Sequence, residues 1–240
     1  MPRAICRPLS RRLLLALTLG IAASIAQAQA PDASFKIGII GTGRIGGALA
    51  AYWVKAGHEV FVSSRHPQEL QALVARLGPR AHAGTPRQAA AFGTVILVSV
   101  PYSAMPELGA DLRAELAGKV ILDTSNPSER RDGPMALDAQ KKGAGIATAE
   151  YLHDRRIVRA FNCIPAATLA NDSNQQPERI AIPIGGDDPR AVRIAAQLVR
   201  EAGFDPVVVG SLARTREFDL GQPLATGRLT AAELKSKLAN

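Results

Sequence analysis

The sequence predicts an α/β fold, doubly wound around a mostly parallel sheet in a single domain. Short apolar runs alternate with helical patterns along most of the chain. One of these runs, residues 94–100, reads as a continuous apolar strand, which is typical of a parallel sheet buried on both faces. A glycine-rich turn directly follows the first apolar run, at residues 37–40. Together these observations indicate an open sheet covered by helices on both sides.

The glycine-rich turn has the spacing Gly41-x-Gly43-x-x-Gly46 and leads into a helical pattern and a second strand, residues 59–62. Gly41 would permit the tight turn, Gly43 a close approach of the backbone to a pyrophosphate, and Gly46 close packing of helix on sheet. Free N–H groups at the helix N-terminus would bind the phosphates. The pattern predicts a Rossmann-type dinucleotide-binding unit. The alternative is a merely glycine-rich turn.

The end of the second strand indicates which dinucleotide binds. An NAD-specific site usually carries an acid there, about 20 residues past the glycines, to bind the ribose 2′-hydroxyl. This chain has Ser63, Ser64 and Arg65 instead. Hydroxyls and a guanidinium would bind a 2′-phosphate, which an acid would repel. The sequence therefore predicts NADP, with a solvated loop charge as the alternative role for Arg65.

The rest of the chain continues the alternation within one predicted domain, residues 31–224. Residues 225–240 are expected to form a short polar helix or tail, with Thr230 as N-cap and Glu233 as its capping-box partner. The further predicted helices are 67–77, 85–92, 105–116, 134–142 and 189–202, and the further strands 80–83, 94–100, 119–123, 157–162, 179–184 and 206–209.

Three strand ends carry candidate residues for the nicotinamide end of the cofactor. Ligands of open α/β sheets bind beyond the carboxyl ends of the strands. Pro101 follows the fourth predicted strand, Asn126 the fifth, and Asn162 ends the sixth. An asparagine offers both a donor and an acceptor to a carboxamide. The alternative for both asparagines is turn and capping chemistry.

Residues 1–30 have the features of a secretory signal peptide. Four arginines and no acid precede an apolar run, residues 13–25, and Ala28-Gln29-Ala30 is a small-x-small cleavage pattern. Ser10-Arg11-Arg12-Leu13-Leu14 also resembles a twin-arginine signal, and an ordinary export signal is the alternative. We therefore expect an exported protein, periplasmic or secreted, with no membrane span in the mature chain.

Composition argues against several classes of function. Removal of residues 1–30 would leave 25 basic and 21 acidic residues, without the basic stripe of a nucleic-acid binder. Cys163 would then be the one cysteine, and its apolar strand pattern favours a packing role over a reactive thiol. The four histidines show no ligand spacing, so no metal site is expected.

Seven short segments together resemble the deazaflavin (coenzyme F420)-dependent NADP oxidoreductase family. The similarity runs from Lys36 to about Leu224. The segments are Gly-Thr-Gly-Arg-Ile-Gly-Gly at 41–47, Ser-Ser-Arg at 63–65, Val-Pro-Tyr at 100–102, Phe-Asn-Cys-Ile-Pro-Ala at 161–166, Gly-Asp-Asp at 186–188, Ala-Gly-Phe at 202–204 and Gly-Ser-Leu-Ala-Arg at 210–214.

The resemblance implies an NADP site and a reaction. The family's pyrophosphate contacts would fall on the segment Thr42, Gly43, Arg44 and Ile45, and its 2′-phosphate contacts on Ser64 and Arg65. The path from the adenosine to the nicotinamide would be lined by Val100, Ala104 and Ala160. Members transfer hydride directly between NADPH and a deazaflavin and need no general acid of their own. The family's reductases also continue into an apolar C-terminal tail, whereas this chain ends in a polar segment.

Two functional hypotheses follow from different classes. The first is an NADP-dependent oxidoreductase that transfers hydride between NADPH and a small-molecule acceptor, either flavin-like or deazaflavin-like. No side chain is assigned as catalytic in this hypothesis. The second is an exported, non-catalytic NADP-binding or sensor protein that has lost the acceptor site. The sequence leaves a homodimer open in either case.

Overall fold

The computed structural model describes Met1, residues 34–153 and residues 156–239. The signal peptide predicted over residues 1–30 lies outside the described residues apart from Met1, and it stays a prediction. Residues 225–239 belong to the same compact body as the sheet, since the described residues from 34 onward form one unit.

Within the described residues, eight strands form one sheet. They are β1 (Lys36–Ile40), β2 (Glu59–Ser63), β3 (Ala81–Gly84), β4 (Val95–Val98), β5 (Val120–Asp123), β6 (Ile157–Arg159), β7 (Ala181–Gly186) and β8 (Asp205–Gly210). Their order is β3-β2-β1-β4-β5-β6-β7-β8. The first six strands are mutually parallel, while β7 is antiparallel to β6 and parallel to β8. The predicted doubly wound, mostly parallel sheet is confirmed.

Helices cover both faces of the sheet. They are α1 (Arg44–Lys55), α2 (Gln71–Leu77), α3 (Pro86–Phe92), α4 (Met105–Asp111), α5 (Arg113–Leu116), α6 (Glu129–Asp132), α7 (Pro134–Lys142), α8 (Ala144–Leu152), α9 (Ala166–Asn171), α10 (Pro189–Glu201) and α11 (Ala231–Ala239). Three 3₁₀ helices cover residues 67–70, 102–104 and 212–218. Among the described residues, no helix is long and apolar enough to cross a bilayer.

A separate hydrophobic core lies on each face. On one face α1 and α10 pack on the central strands, and the indole Nε1 of Trp53 donates to the Leu198 carbonyl at 3.0 Å. On the other face α4 and α8 pack on β4 and β5. Strands β4 and β5 are buried at every residue, as expected for a parallel strand covered on both sides.

Strands β7 and β8 extend past the carboxyl ends of the other strands. β6 pairs with β7 only through Val158 with Gly186 and Arg159 with Gly185. Because β7 runs in the opposite direction, its residues 181–184 continue beyond the last residue of β6. Strands β7 and β8 therefore form a wall at the edge of the sheet where the parallel strands end.

The C-terminal segment packs against this wall. Leu234 of α11 is 1% exposed and shares a small core with Val207 and Phe218. A Cβ on Gly227 would lie 2.6 Å from the Cys163 carbonyl oxygen, so the segment passes directly over the loop after β6. The predicted cap is present, since the Thr230 N–H donates to Glu233 Oε2 at 2.8 Å.

Several predicted elements differ from the structure. Helices α8 and α9 were not predicted, because each is short and begins directly after a residue typical of turns, Gly143 before α8 and Pro165 before α9. The predicted helix 105–116 is interrupted at Leu112, whose φ of −109° is not helical. The predicted strand 157–162 ends at Arg159, because Phe161 has a φ of +59° and turns the chain away from the sheet.

The contact between α1 and the sheet gives a stability prediction. A Cβ on Gly46 would overlap the Gly41 carbonyl oxygen, a rigid backbone atom, whereas a Cβ on Gly47 would meet nothing within 4 Å. We expect Gly46→Ala to lower the free energy of unfolding by about 1–3 kcal/mol through overpacking. The matched control Gly47→Ala should raise it by about 0.5–1 kcal/mol, the helix propensity gain. Urea denaturation of both variants measures this, and equal effects would contradict the close packing.

Candidate functional site

The turn between β1 and α1 forms an open cradle at the carboxyl edge of the sheet. Gly43 is the N-cap of α1 and has no side chain to satisfy the first N–H groups, and the first turn contains no acid. A Cβ on Gly43 would meet no protein atom within 4 Å. Arg44 occupies the first helical position and is exposed. Free N–H groups, the positive end of the dipole and a cation together fit a pyrophosphate.

Neighbouring residues fix the shape of the cradle. Gly41 has a φ of +95°, and a Cβ there would overlap the Ser99 carbonyl oxygen after β4. The Thr42 hydroxyl donates to the Ser63 carbonyl at 2.9 Å and accepts from the Ser63 N–H at 3.0 Å. Thr42 therefore joins the turn to the end of β2. The Thr42 backbone N–H also donates to the Ser63 carbonyl, at 3.2 Å, so Thr42 fixes this joint and presents no free N–H group to a phosphate. Ile45 is half-buried beneath the turn.

The three residues predicted at the end of β2 lie in different environments. Ser63 is fully buried and its hydroxyl donates to the Ile39 carbonyl at 2.7 Å. This hydroxyl is therefore not accessible to a 2′-phosphate, in contrast to the prediction. Ser64 is half-buried, and Arg65 is exposed without a hydrogen bond or ion pair to the described residues. Ser64 and Arg65 can therefore bind a 2′-phosphate.

The loop after β4 continues the same edge. Val100 and Ala104 are half-buried and Pro101 is exposed, so all three are accessible to a ligand. Ala160, after β6, is fully buried and its N–H donates to the Asp123 carbonyl at 3.2 Å. The expectation that Ala160 lines the path is not met, because its small side chain packs inside the hydrophobic core.

The two asparagines contact each other and the chain. Asn126 Nδ2 donates to the Asn162 carbonyl at 2.7 Å, and Asn162 Nδ2 donates to the Phe218 carbonyl at 2.9 Å. Asn162 is 4% exposed and its Oδ1 is buried without a partner among the described residues. Asn126 is half-buried and reaches open space. Asn126 can thus contact a ligand, while Asn162 holds the loops together.

A buried ion pair that the sequence reading missed supports these loops. Arg159, the last residue of β6, has no exposed surface. Its Nη1 lies 2.8 Å from Asp123 Oδ2, and its Nη2 lies 2.9 Å from Asp219 Oδ1. Its Nη1 also donates to the Ser125 carbonyl at 2.9 Å, and its Nη2 to Asn126 Oδ1 at 3.3 Å. The available signal was a charged residue inside each of two apolar strand patterns.

The carboxylates of this pair are also satisfied from other elements. Thr148 Oγ1 on α8 donates to Asp123 Oδ2 at 2.9 Å. The Ala144 N–H donates to Asp219 Oδ2 at 3.0 Å. Buried charges are tolerated when they are paired and hydrogen-bonded in this way. The network therefore ties β5, β6, α8 and the segment around Asp219 into one rigid unit.

Asp132 joins the loops after β4 and β5. Its Oδ1 accepts from the Ser103 N–H at 3.1 Å and its Oδ2 from the Ser128 N–H at 2.9 Å. Burial raises the pKa of Asp132, but Arg131 and these two N–H groups outweigh burial and hold its pKa at about 2. The side chain is therefore charged throughout the neutral range and fixes the relative position of the two loops.

A polar cleft opens beside Asn126 at the same edge of the sheet. Its volume is about 280 Å³. One wall carries Asp219, which the buried Arg159 holds, and Leu220 is 60% exposed there. The complete lining is Asn126, Pro127, Gln140, Arg216, Asp219, Leu220 and Gln222. The cleft can take a ligand next to the loops that follow β4 and β5.

The remaining side chains that could carry chemistry have structural roles instead. Cys163 is buried, and burial raises the pKa of its thiol to about 12. It is a packing residue, as expected. His58 is buried, accepts from the Phe35 N–H at 3.0 Å and lies 2.6 Å from Glu201. In the described part of the chain, no group of three acidic, cysteine or histidine side chains could hold a metal.

The pKa of Asp132 gives a prediction about acid stability. Its folded pKa of about 2 lies below the ordinary 3.8, so the charged form stabilises the fold fully above about pH 4. That contribution, about 2 kcal/mol, is lost as the pH falls from about 4 to 2. We expect the difference in unfolding free energy between wild type and Asp132→Asn to shrink over this range. Asp138→Asn is the control, since its side chain is 75% exposed. A constant difference from pH 5 to pH 2 would contradict the assignment.

Comparison with known families points to an NADP enzyme. Residues 36–127 match the family described as "NADP oxidoreductase coenzyme F420-dependent". The F420-dependent NADP reductase of Methanothermobacter thermautotrophicus is 28% identical over 203 residues, which cover 79% of this chain and 87% of that protein. The rat metalloreductase STEAP3 is 32% identical over 202 residues, or 80% of this chain. The chain spans only 37% of the length of this metalloreductase.

Solved structures agree on the fold. A Sinorhizobium meliloti protein, SMa0349, superimposes with a TM-score of 0.71 at 28% identity, covering 81% of this chain and 95% of that chain. An Arthrobacter protein assigned as an F420-dependent NADP reductase superimposes with a TM-score of 0.66 at 21% identity, covering 76% and 88%. The predicted resemblance is confirmed: the chain has a Rossmann-type NADP-binding fold and contains, over residues 36–127, a domain of the coenzyme F420-dependent NADP oxidoreductase family.

Proposed function

We propose that the protein is an NADP-dependent oxidoreductase that passes a hydride from NADPH to a flavin-like or deazaflavin-like acceptor. The observation that carries this proposal is the position of two features on one sheet edge. The open phosphate cradle with the unpaired Arg65 is at the ends of β1 and β2, and the polar cleft is beside Asn126 after β5. A nucleotide anchored at the first feature would extend along the edge toward the second.

The proposed reaction needs little from the protein side chains. Bound NADPH would supply a hydride from its nicotinamide ring and leave as NADP⁺. The acceptor ring, flavin or deazaflavin, would take up that hydride with both electrons together with one proton from water. The residues of this chain bind, orient and shield the reacting rings, so positioning is their contribution to the rate.

The relatives support the nucleotide more strongly than the acceptor. One is named for F420 and another for metal reduction, while the family description names NADP. Both names describe reductases, and they differ in what is reduced. A planar ring acceptor fits a cleft of about 280 Å³ bordered by Leu220 and Pro127. We therefore include a flavin or a deazaflavin as co-substrate in the proposal.

The alternative is a non-catalytic NADP-binding or sensor protein that has lost its acceptor site. The cleft beside Asn126 favours the enzyme. A protein that had lost its acceptor site would not need a polar cavity whose wall is held by Arg159. Anaerobic NADPH oxidation with riboflavin, FMN and a 5-deazaflavin separates the two. We expect turnover with at least one ring acceptor. Tight NADPH binding without reduction of any acceptor would favour the sensor.

Arg65 gives the test for the nucleotide. Arg65→Ala should weaken NADPH binding by about 1.5–3 kcal/mol, the contribution of a charge-assisted hydrogen bond, and leave NADH binding almost unchanged. The control is Arg76→Ala, which removes an exposed arginine of α2 outside the proposed site. Calorimetric titration with both nucleotides measures the effect. Equal losses for NADPH and NADH would argue against 2′-phosphate recognition.

We further propose, from residues 1–30 alone, that the chain is exported after cleavage near Ala30. Mass spectrometry of the protein from a secreted or periplasmic fraction should find a mature N-terminus at Pro31. Arg11→Lys together with Arg12→Lys should block export by the twin-arginine route and spare the general route. Full-length protein confined to the cytosol of the native host would contradict the proposal.

A further inference from the structure

We propose that the cleft beside Asn126 binds acceptors that carry an oxyanion group, and that Arg216 is the residue that selects them. This inference rests on the proposed oxidoreductase function and gives its second substrate a chemical class. The acceptor would place its ring toward the loops after β4 and β5 and its phosphate or carboxylate against Arg216. Four observations support the assignment.

The position of the cleft is the first observation. Asn126 belongs both to the cleft lining and to the network at the ends of β5 and β6. A ligand in the cleft would therefore lie next to the edge where the nicotinamide is expected, and separate from the phosphate cradle at the end of β1. These placements suit a second substrate that receives a hydride rather than a second part of NADPH.

The charge state of the cleft is the second observation. Asp219 and Arg216 are three residues apart, yet no ion pair forms between them. Asp219 Oδ1 instead binds Arg159 at 2.9 Å, and its Oδ2 accepts from the Ala144 N–H at 3.0 Å. The acid in the cleft wall is thus already neutralised from the protein side. Arg216 is exposed and its guanidinium has no hydrogen-bond or ion-pair partner in the described ranges.

Another cation at these loops, Arg131, is not available for a ligand, which is the third observation. The Arg131 guanidinium donates to both oxygens of Asp132, at 3.0 and 2.8 Å, and to the Asn126 carbonyl at 2.6 Å. It neutralises the carboxylate that joins the loops. Among the described residues that line the cleft, Arg216 is therefore the one cation left for an anion.

The rest of the lining completes the match to a ring with an anionic tail. Gln140 donates through Nε2 to the Pro127 carbonyl at 3.1 Å, which fixes its amide at the cleft wall. Leu220 is 60% exposed and Pro127 is half-buried, so the cleft has apolar surface as well as amides. A planar ring can cover such apolar surface, and a guanidinium binds phosphate or carboxylate through two N–H groups.

FMN and riboflavin provide matched probes for this proposal, because they share one ring and differ by a single phosphate. We expect the NADP⁺-saturated wild type to bind FMN about five- to tenfold more tightly than riboflavin, the effect of a charge-assisted bond reduced by solvent. Quenching of flavin fluorescence measures both dissociation constants without turnover. The ratio of kcat/KM for the two acceptors, at saturating NADPH, should show the same preference.

Substitution of Arg216 tests the residue itself. Arg216→Gln should bring the FMN-to-riboflavin ratio close to one, and Arg216→Lys should restore part of the preference because it keeps the charge. The control is Arg193→Gln on α10, an exposed arginine outside the cleft, which should keep the wild-type ratio. Thermal melting of each variant verifies that the fold is intact, and NADPH affinity is measured in parallel.

The outcomes separate this inference from the proposed function. A wild type without preference for FMN, or an Arg216→Gln variant that keeps it, would overturn the inference. So would a variant whose loss is confined to NADPH affinity, since Arg216 would then belong to the nucleotide site. If FMN binds preferentially through Arg216 but no acceptor is reduced, the anion site stands and the oxidoreductase proposal fails. If riboflavin and FMN are reduced equally well, the oxidoreductase stands and the anion site fails.

Discussion

The proposed acceptor side of the structure depends on one buried guanidinium. Arg159 has no exposed surface and is paired with Asp123 on the neighbouring strand and with Asp219 beyond the last 3₁₀ helix. Removal of one partner from such a buried group would leave a charge without compensation, at a cost of about 3–5 kcal/mol. The sheet changes direction at the same point, since β6 is parallel to β5 and antiparallel to β7. The ion pair thus fixes the place where the regular parallel sheet ends and the wall of β7 and β8 begins.

The two halves of the site are built from contacts of different range. The nucleotide half uses the turn after β1 and the end of β2, which Thr42 and Ser63 join across 21 positions of the chain. The acceptor half joins Asp123 to Arg159 across 36 positions and Arg159 to Asp219 across 60. Long-range packing of this kind lets the acceptor side change while the nucleotide side keeps its local geometry. That difference is consistent with a family description that names NADP and with relatives named for F420 and for metal reduction.

The same difference explains what could be predicted from the sequence. The cradle was predictable because Gly41, Gly43 and Gly46 act through their own backbone, and Arg65 follows at a fixed distance. Ser63 was assigned wrongly because a residue at a strand end points either into the sheet or out of it, and register decides which. The cleft was not predictable, because no local pattern shows that Arg159 would hold Asp219 and so leave Arg216 unpaired.

Unpaired cations along the carboxyl edge give the site its electrostatic character. Arg44 stands at the positive end of α1, where a cation is unfavourable unless an anion lies nearby. Arg65 follows β2 and has no hydrogen-bond or ion-pair partner among the described residues, whereas Arg131 and Arg159, deeper in the loops, are neutralised by carboxylates. The carboxylates thus pair with cations inside the loops, and the cations at the positions where a ligand would lie remain unpaired. A negatively charged nucleotide would neutralise the excess positive charge at one end of the edge. Arg216 leaves a similar excess of positive charge at the other end, so an anionic second substrate fits this protein better than a neutral one.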